Sequence, residues 1–271
     1  GVYEMGSTFK LFSAAAALEE GNVKLSSTFD CRKPLTYGRF TIHDYHPEKK
    51  IMSVPEIFIH SSNIGHAQMA EKVGNEKTKE FYQKLGFYDR LPLEIPERGN
   101  PLTPNPWRDI HTVTTSYGHG IAVSPLHLVS AAATVLNGGF RVHPTLVQKS
   151  TVNVPSERVI SARTSQYLRE LMRATVAVGT GQKGNAEGFL VGGKTGTSEK
   201  AKAGKYDKKL LMSSFLAAYP INDPQYIVYL MVDEPVGNQS SYGYATGGWV
   251  AAPAVKNIIL RMSSLLGVRP V

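Results

Sequence analysis

The chain has little cysteine, no long apolar run and no nucleic-acid-binding motif. Cys31 is the single cysteine among 271 residues, which excludes a disulfide bond within the chain. The apolar run at residues 11–18 is far shorter than the roughly 20 residues that cross a bilayer, so we expect neither a transmembrane helix nor a signal peptide in this sequence. Dense runs of lysine and arginine are also missing, and nucleic acid is therefore not an expected partner.

The composition is that of a folded globular protein, with 42% hydrophobic and 19% charged residues. The formal charge of +8 leaves two interpretations open. It is either an ordinary basic surface or an attraction toward an acidic partner, such as an anionic polymer or a membrane surface.

Helical patterns occupy most of the chain, and strand patterns come late. A loop rich in proline is expected at residues 92–108 and irregular structure at residues 26–50, where His43 to His46 read as a surface loop because their spacing fits no standard metal site. Lys202 to Lys209 also read as a loop. The pattern predicts an α+β fold. The predicted helices are residues 9–20, 54–59, 65–73, 75–85, 124–136, 165–176 and 250–266, and the predicted strands are residues 189–197, 211–219 and 226–233.

Ser7 and Lys10 form the first chemical motif, S-x-x-K. On a helix, residues three apart share a face, so the amine of Lys10 can reach the hydroxyl of Ser7. Serine becomes a nucleophile when a neighbouring base takes its proton, and a lysine whose pKa is lowered by burial or by a second positive charge is such a base. Lys194 is the candidate for that second charge.

Two further motifs follow in the order S-x-N and K-T-G. Ser61 offers a hydroxyl that can relay a proton, and Asn63 offers an amide that can hold a lysine and bond a substrate amide. Lys194, Thr195, Gly196 and Thr197 read as an edge of the predicted sheet, where hydroxyls face a substrate carboxylate and glycine permits a close backbone approach.

Each motif alone has an ordinary structural explanation. Ser7 can cap a helix, residues 61–63 can end one, and residues 194–196 can form a turn. Their joint occurrence in this order is different, because serine, S-x-N and K-T-G together are the signature of penicillin-interacting serine enzymes.

With its flanking residues, the chain resembles the transpeptidase domain of class B penicillin-binding proteins over nearly its whole length. The matching segments are Y-E-M-G-S-T-F-K at residues 3–10, S-S-N-I-G at 61–65, G-H-G-I-A-V-S-P-L at 118–126 and K-T-G-T at 194–197. Met5 stands where the family usually has proline. Residues 233–235 and 246–253 are most similar to the septal, division-specific enzyme of Gram-negative bacteria.

The resemblance implies the penicillin-binding-protein and β-lactamase-like fold, a helical region with an antiparallel sheet that has helices on both faces. It implies a serine D,D-transpeptidase that cross-links peptidoglycan stem peptides and is acylated by β-lactams. The implied catalytic residues are Ser7, Lys10, Ser61, Asn63 and Lys194. Substrate-binding residues would be Thr195, Gly196 and Thr197, and the backbone N–H groups of Ser7 and Thr197 would form the oxyanion hole.

The resemblance requires no cofactor or metal. Its implied partners are stem peptides on a lipid-linked precursor, β-lactams, a glycosyltransferase and other division proteins. Only six residues precede Ser7, so we expect residues 1–271 to be one transpeptidase domain truncated at its N-terminus, with its N-terminal strands missing and an edge of its sheet unpaired. A membrane helix outside this chain would anchor the enzyme at the periplasmic face of the inner membrane.

Two alternatives remain at the level of sequence. A serine β-lactamase needs a carboxylate that activates water for deacylation, and the segment at residues 97–100 is too short for the known motif and lacks its leucine. A non-catalytic β-lactam sensor or division-complex scaffold is the other alternative, and complete catalytic motifs weigh against it.

Overall fold

The computed structural model describes residues 1–148, 157–202 and 205–270, and these form an α+β fold. The helices are α1 Lys10–Glu20, α2 Val54–Ile59, α3 Asn63–Val73, α4 Asn75–Lys84, α5 Asp109–Thr115, α6 Pro125–Leu136, α7 Ala162–Val178 and α8 Ala251–Leu266. The strands are β1 Thr28–Asp30, β2 Leu35–Tyr37, β3 Phe40–Ile42, β4 Ile51–Ser53, β5 Gly192–Lys202, β6 Lys205–Tyr219 and β7 Tyr226–Asp233.

Helix α1 lies at the centre of the helical region. Its body is mostly alanine, and the small side chains let α3, α4, α6 and α7 approach it from several sides. At its start, Phe9 and Phe12 pack edge to face at 5.2 Å between ring centroids. Phe9 meets Tyr82 in the same way, at 5.2 Å, and Phe87 closes the cluster at 4.8 Å from Phe9. This packing fixes the end of α1 that carries the first motif.

The late strands form an antiparallel sheet in the order β5-β6-β7. Alternate residues of a strand point to opposite faces, and β6 shows this clearly. Leu216 and Ala218 join the core around α1, while Phe215, Ala217 and Tyr219 join a second core with α8. Helices therefore cover both faces of the sheet, as the resemblance implies.

Short-range signals place several helix ends. Ser53 and Glu56 form a capping box at the start of α2, and Ser62 caps α3 by accepting a hydrogen bond from the Gly65 backbone N–H. Ser161 caps α7 in the same way, which starts that helix three residues earlier than predicted. The residue 92–108 loop is confirmed, since α4 is followed by no further helix until Asp109.

The structure differs from the sequence prediction in three places. First, it contains helix α5, which no sequence pattern indicates. Residues 202 and 205–209 belong to the paired strands β5 and β6, where a loop was expected, because the long hairpin continues beyond its apolar part. Asp44 was assigned to a surface loop, yet it is buried against the start of α3. Of the helices described, none is both long and apolar enough to pass through a membrane.

Candidate active site

Ser7 lies in a 3-10 turn, Gly6–Phe9, that runs directly into α1. Gly6 has a φ of +53°, and a Cβ at this position would lie 2.8 Å from the carbonyl oxygen of Thr197. Only glycine fits both the left-handed backbone and this close approach. Thr8 closes the turn, because its hydroxyl donates to the carbonyl oxygen of Met5 at 2.8 Å. The turn therefore presses the half-buried Ser7 against strand β5.

Lys10, the first residue of α1, has a fully buried side chain whose amine reaches the second motif. Its Nζ donates to the carbonyl oxygen of Ser61 at 2.6 Å and lies 3.1 Å from the Ser61 hydroxyl. The sequence predicted reach toward Ser7, one turn back, and the structure gives the amine its partners on Ser61. The first two motifs are thereby joined through a side chain buried between α1 and α3.

Ser61 owes its position to an uncommon backbone conformation. Helix α2 ends at Ile59, α3 begins at Asn63, and between them Ser61 has a φ of +57°. Non-glycine residues adopt this left-handed region rarely and at a cost, and such residues cluster at functional sites. The conformation turns both the carbonyl and the hydroxyl of Ser61 toward the buried amine of Lys10.

Lys194 brings the third motif to the same hydroxyl. Its side chain is fully buried on β5, and its Nζ donates to Ser61 Oγ at 2.8 Å and to the carbonyl oxygen of Thr195 at 3.2 Å. The two lysine nitrogens share one oxygen and lie no more than about 6 Å apart, a separation at which two buried positive charges repel strongly. The three motifs form one hydrogen-bonded chain, Lys10–Ser61–Lys194.

Burial changes the protonation of both lysines. It lowers the pKa of Lys10 to about 7, although the carboxylate of Asp44 opposes the shift by favouring the ammonium form. Burial also lowers the pKa of Lys194 far below its ordinary value, and the charge of Lys10 adds to that effect. The site therefore cannot hold two ammonium groups easily near neutral pH, and a neutral amine is available next to Ser61.

Asn63 does not hold a lysine in this structure. Its side-chain N–H donates to the carbonyl oxygen of His43 at 2.9 Å, so the amide fastens the preceding loop to the start of α3. Asp44 in that loop accepts hydrogen bonds from the Ser62 hydroxyl at 2.8 Å and from the Ile64 backbone N–H at 2.9 Å. Sequence reasoning missed Asp44, since a single aspartate among irregular residues carries no signal of its burial.

The K-T-G strand faces the serine turn. Thr195 is buried, and its hydroxyl lies 2.9 Å from the Thr180 hydroxyl. At Gly196 a Cβ would lie 2.8 Å from Thr8 Cγ2, which explains why glycine is needed there. Thr197 is half-buried, and its hydroxyl oxygen accepts a hydrogen bond from the Gly247 backbone N–H at 3.1 Å. Its hydroxyl proton is not used in that bond.

The structure thus joins Lys10, Ser61 and Lys194 by hydrogen bonds, and it packs the turn that carries Ser7 against β5, the strand of residues 194–197. Within the described ranges, no group of three or more His, Cys, Asp or Glu side chains is placed to bind a metal ion. A serine turn, a lysine with a pKa near neutrality and a shared hydroxyl are the components of acyl transfer through a serine ester.

Comparison with known proteins agrees with this geometry. Residues 1–260 match the family described as the penicillin binding protein transpeptidase domain. The chain is 43% identical to the probable peptidoglycan D,D-transpeptidase FtsI of Caulobacter vibrioides, over 99% of this chain and 47% of that protein. It is 33% identical to stage V sporulation protein D of Bacillus subtilis, over 99% of this chain and 43% of that protein. The chain spans about half the length of these relatives.

Solved structures give the same fold. The transpeptidase domain of penicillin-binding protein 3 from Burkholderia pseudomallei superposes with a TM-score of 0.90 at 28% identity, covering 99% of this chain and 81% of that one. The same conclusion follows from three findings: the motifs joined at one hydroxyl, the family match over residues 1–260 and this superposition. The chain belongs to the penicillin-binding protein transpeptidase family.

Proposed function

We propose that the chain is the catalytic part of a peptidoglycan D,D-transpeptidase that acts through an acyl-serine at Ser7. The observation that carries the proposal is the buried chain Lys10–Ser61–Lys194 beside the serine turn. It supplies a base whose pKa of about 7 leaves a large neutral fraction at physiological pH, and a hydroxyl that can pass a proton. The names of the relatives from Caulobacter vibrioides and from Neisseria species, which are probable peptidoglycan D,D-transpeptidases, support the same activity.

In the acylation step, Ser7 Oγ attacks the carbonyl carbon of the penultimate D-alanine of a stem peptide. Neutral Lys10 takes the serine proton as the new C–O bond forms. The backbone N–H groups of Ser7 and Thr197 bind the resulting oxyanion. The C–N bond then breaks, a proton passes through Ser61 to the departing amine, and the terminal D-alanine leaves.

In the second step, an amine of another stem peptide attacks the ester carbonyl of acylated Ser7. The amine loses a proton to the Lys10–Ser61 pair as its C–N bond forms. The C–O bond to Ser7 breaks, and the serine oxygen recovers a proton. The protonation of Lys194 depends on the charge of Lys10, because two ammonium groups this close repel each other. The hydrogen bond from Lys194 to Ser61 Oγ keeps the relay hydroxyl aligned.

The remaining motif residues bind the substrate. The hydroxyls of Thr195 and Thr197 on β5 suit the terminal carboxylate, and Gly196 lets the peptide backbone come close to this strand. The side-chain carbonyl of Asn63 can accept a hydrogen bond from an amide N–H of the substrate, while one of its N–H groups stays bonded to the His43 carbonyl. A β-lactam mimics the same peptide and acylates the same serine.

A β-lactamase would need a carboxylate at the reacting centre. Glu97 is exposed in the 92–108 loop, and the hydrogen bonds that the structure gives to Lys10 and Ser61 involve no carboxylate. The acyl-enzyme is therefore expected to persist. In the complete protein we further infer a septal role, stem peptides on a lipid-linked precursor as substrate, and a glycosyltransferase and other division proteins as partners.

We also infer that residues 1–271 form one domain and that an N-terminal helix outside this chain anchors the enzyme at the periplasmic face of the inner membrane.

The test is a fluorescent penicillin followed by gel detection and mapping of the labelled residue. The chain is expected to retain the label on Ser7 for hours, the Ser7→Ala variant to remain unlabelled, and the surface variant Ser264→Ala to label normally. Label on another residue, or rapid nitrocefin turnover, would contradict the proposal. Cross-linking of lipid-linked substrate by the complete protein separates a transpeptidase from a sensor that only binds penicillin.

A further inference from the structure

His66 is a buried group that the proposed reaction does not use. It lies on α3, one turn after Asn63, with none of its surface exposed. Its Nδ1 lies 2.8 Å from the hydroxyl of Ser13 on α1, and Ser13 in turn contacts the backbone carbonyl of Lys10 at 3.2 Å. His66 therefore connects the helix of the S-x-N motif to the turn that carries Lys10.

The second ring nitrogen of His66 has no partner among the described residues. Nε2 is buried, and no protein atom there forms a hydrogen bond with it. Leaving a polar atom buried and unpaired destabilises the fold, so such atoms in native structures have a reason, often an internal water or a functional role.

Hydrogen-bond accounting assigns the tautomer. The Ser13 hydroxyl has one proton, which it donates to the Lys10 carbonyl in the manner usual for serine within a helix. On this basis we assign the proton of the contact with Ser13 Oγ to His66 Nδ1. Nε2 is left as an unprotonated acceptor, which suits one internal water molecule.

The surroundings require that His66 stay neutral. Burial and the positive charges of Lys10 and Lys194 together hold the pKa of His66 well below its ordinary value. Phe58 of α2 completes the environment, with its ring centroid 6.1 Å from that of His66 and 5.8 Å from Lys194 Nζ. The groups that face His66 are thus two lysines, one serine and one aromatic ring.

We propose that His66 is a positioning residue for Lys10: it acts through Ser13, and its unprotonated Nε2 provides a neutral hydrogen-bond acceptor near the two lysines. The inference depends on the proposed function only for the expected effect on the rate of acylation. Without the ring nitrogens, the first turn of α1 loses a tie to α3. The surroundings of Lys10 also become less polar, which disfavours its ammonium form further.

The informative change is His66→Phe, which keeps a ring of similar size and removes both nitrogens. We expect the plateau rate constant of penicillin acylation to fall about tenfold and the midpoint of its pH profile to move toward lower pH. His66→Asn retains an N–H group near the position of Nδ1, so its plateau is expected within about threefold of the wild-type value.

His127 provides a matched control within the same chain. It is also a buried histidine whose Nδ1 contacts a serine, Ser124, at 2.6 Å, but its Nε2 contacts the Asp89 carbonyl at 2.9 Å. Neither lysine of the site contributes to the pKa of His127. His127→Phe is therefore expected to lower stability while the pH midpoint of acylation stays unchanged.

A second measurement makes the test independent of acylation. The titration of Lys10 is followed by ¹³C NMR of its Cε, with Lys10→Met used to assign the signal. A lower Lys10 midpoint in His66→Phe than in wild type supports the proposal even if penicillin does not react. Failure of the wild-type chain to react with penicillin would contradict the proposed function but not the role of His66. Unchanged Lys10 titration in folded His66→Phe, or an equal shift in His127→Phe, overturns that role.

Discussion

The pH at which Lys10 loses its proton should govern acylation of Ser7. Burial lowers the pKa of this amine from 10.5 to about 7. At pH 7 a lysine with an ordinary pKa is neutral in about one molecule in 3000, whereas a pKa of about 7 makes half of the molecules neutral. If Lys10 is the base that activates Ser7, this shift is worth roughly a thousandfold in rate at neutral pH.

The second-order rate constant for acylation by a fluorescent penicillin is the quantity to measure, from pH 5 to pH 9. It should reach a plateau above pH 8, fall to half near pH 7, and decline tenfold per pH unit below pH 6. At pH 5 about 1% of the plateau value should remain, because only that fraction of Lys10 is neutral. Far-UV circular dichroism at each pH confirms that the chain stays folded.

Two results would refute the reasoning. A rate constant that stays constant from pH 5 to pH 8 means that deprotonation of Lys10 does not limit acylation. A midpoint near pH 10 means that the amine is solvated and that burial between α1 and α3 does not act on it. The Ser264→Ala variant serves as a control, since its profile should match that of the wild type.

Three further changes test other parts of the structure. Lys10→Met should stabilise the chain by up to about 5 kcal/mol below pH 7, because a lysine whose folded-state pKa is lowered destabilises the fold fully below that pKa. The effect fades as the pH rises from about 7 to 10.5, so the difference in unfolding free energy between variant and wild type, measured in urea, should be smaller at pH 10 than at pH 6. An equal difference at both pH values would contradict the prediction. Asp44→Asn removes a negative charge that favours the ammonium form of Lys10, so the midpoint of the acylation pH profile should move to lower pH; a move to higher pH would reject the electrostatic argument. The weaker hydrogen bond to the start of α3 should also lower the free energy of unfolding by about 1 kcal/mol, measured by thermal unfolding. Gly6→Ala places a Cβ 2.8 Å from the Thr197 carbonyl oxygen at a φ of +53°, and penicillin labelling should slow at least tenfold, whereas Gly38→Ala, at a φ of +57° but with open space around it, should label normally.

Much of the fold follows from local signals in the sequence. The capping box of Ser53 and Glu56 and the serine that caps α6, Ser124, mark helix starts that need no tertiary information. The apolar alternation of β6 gives its two faces. Helix α5 had no comparable signal, because it follows a proline-rich loop and is only seven residues long.

The sequence likewise predicts part of the candidate site but not all of it. Its residues were found from three short motifs; the structure joins Lys10, Ser61 and Lys194 by hydrogen bonds and packs the turn of Ser7 against β5. The partner of the Lys10 amine was not predictable, since it depends on the left-handed backbone of Ser61. Spacing along a helix shows which residues share a face, but it does not show what lies opposite that face.

Asp44 and His66 were missed for a related reason. Asp44 is a single polar residue in an irregular stretch, and His66 lies in a predicted helix just after the second motif, but the burial of both is created by distant parts of the chain. The side-chain N–H of Asn63 donates to the His43 carbonyl in the loop before α3, a contact that the sequence did not indicate, and its role beside a lysine stays a prediction. Such contacts arise from tertiary packing and leave no trace in local sequence.

The burial of α1 has a consequence for hydrogen exchange. Leu11, Phe12 and the four alanines at residues 14–17 are almost without exposed surface, and α1 packs against α3, α4, α6 and α7. Its amide protons should therefore exchange with deuterium only when the whole domain opens, while the loops around the cleft exchange far earlier. The helix that begins with Lys10 is then as stable as the fold itself, and any widening that admits a bulky peptide has to come from the segments around it.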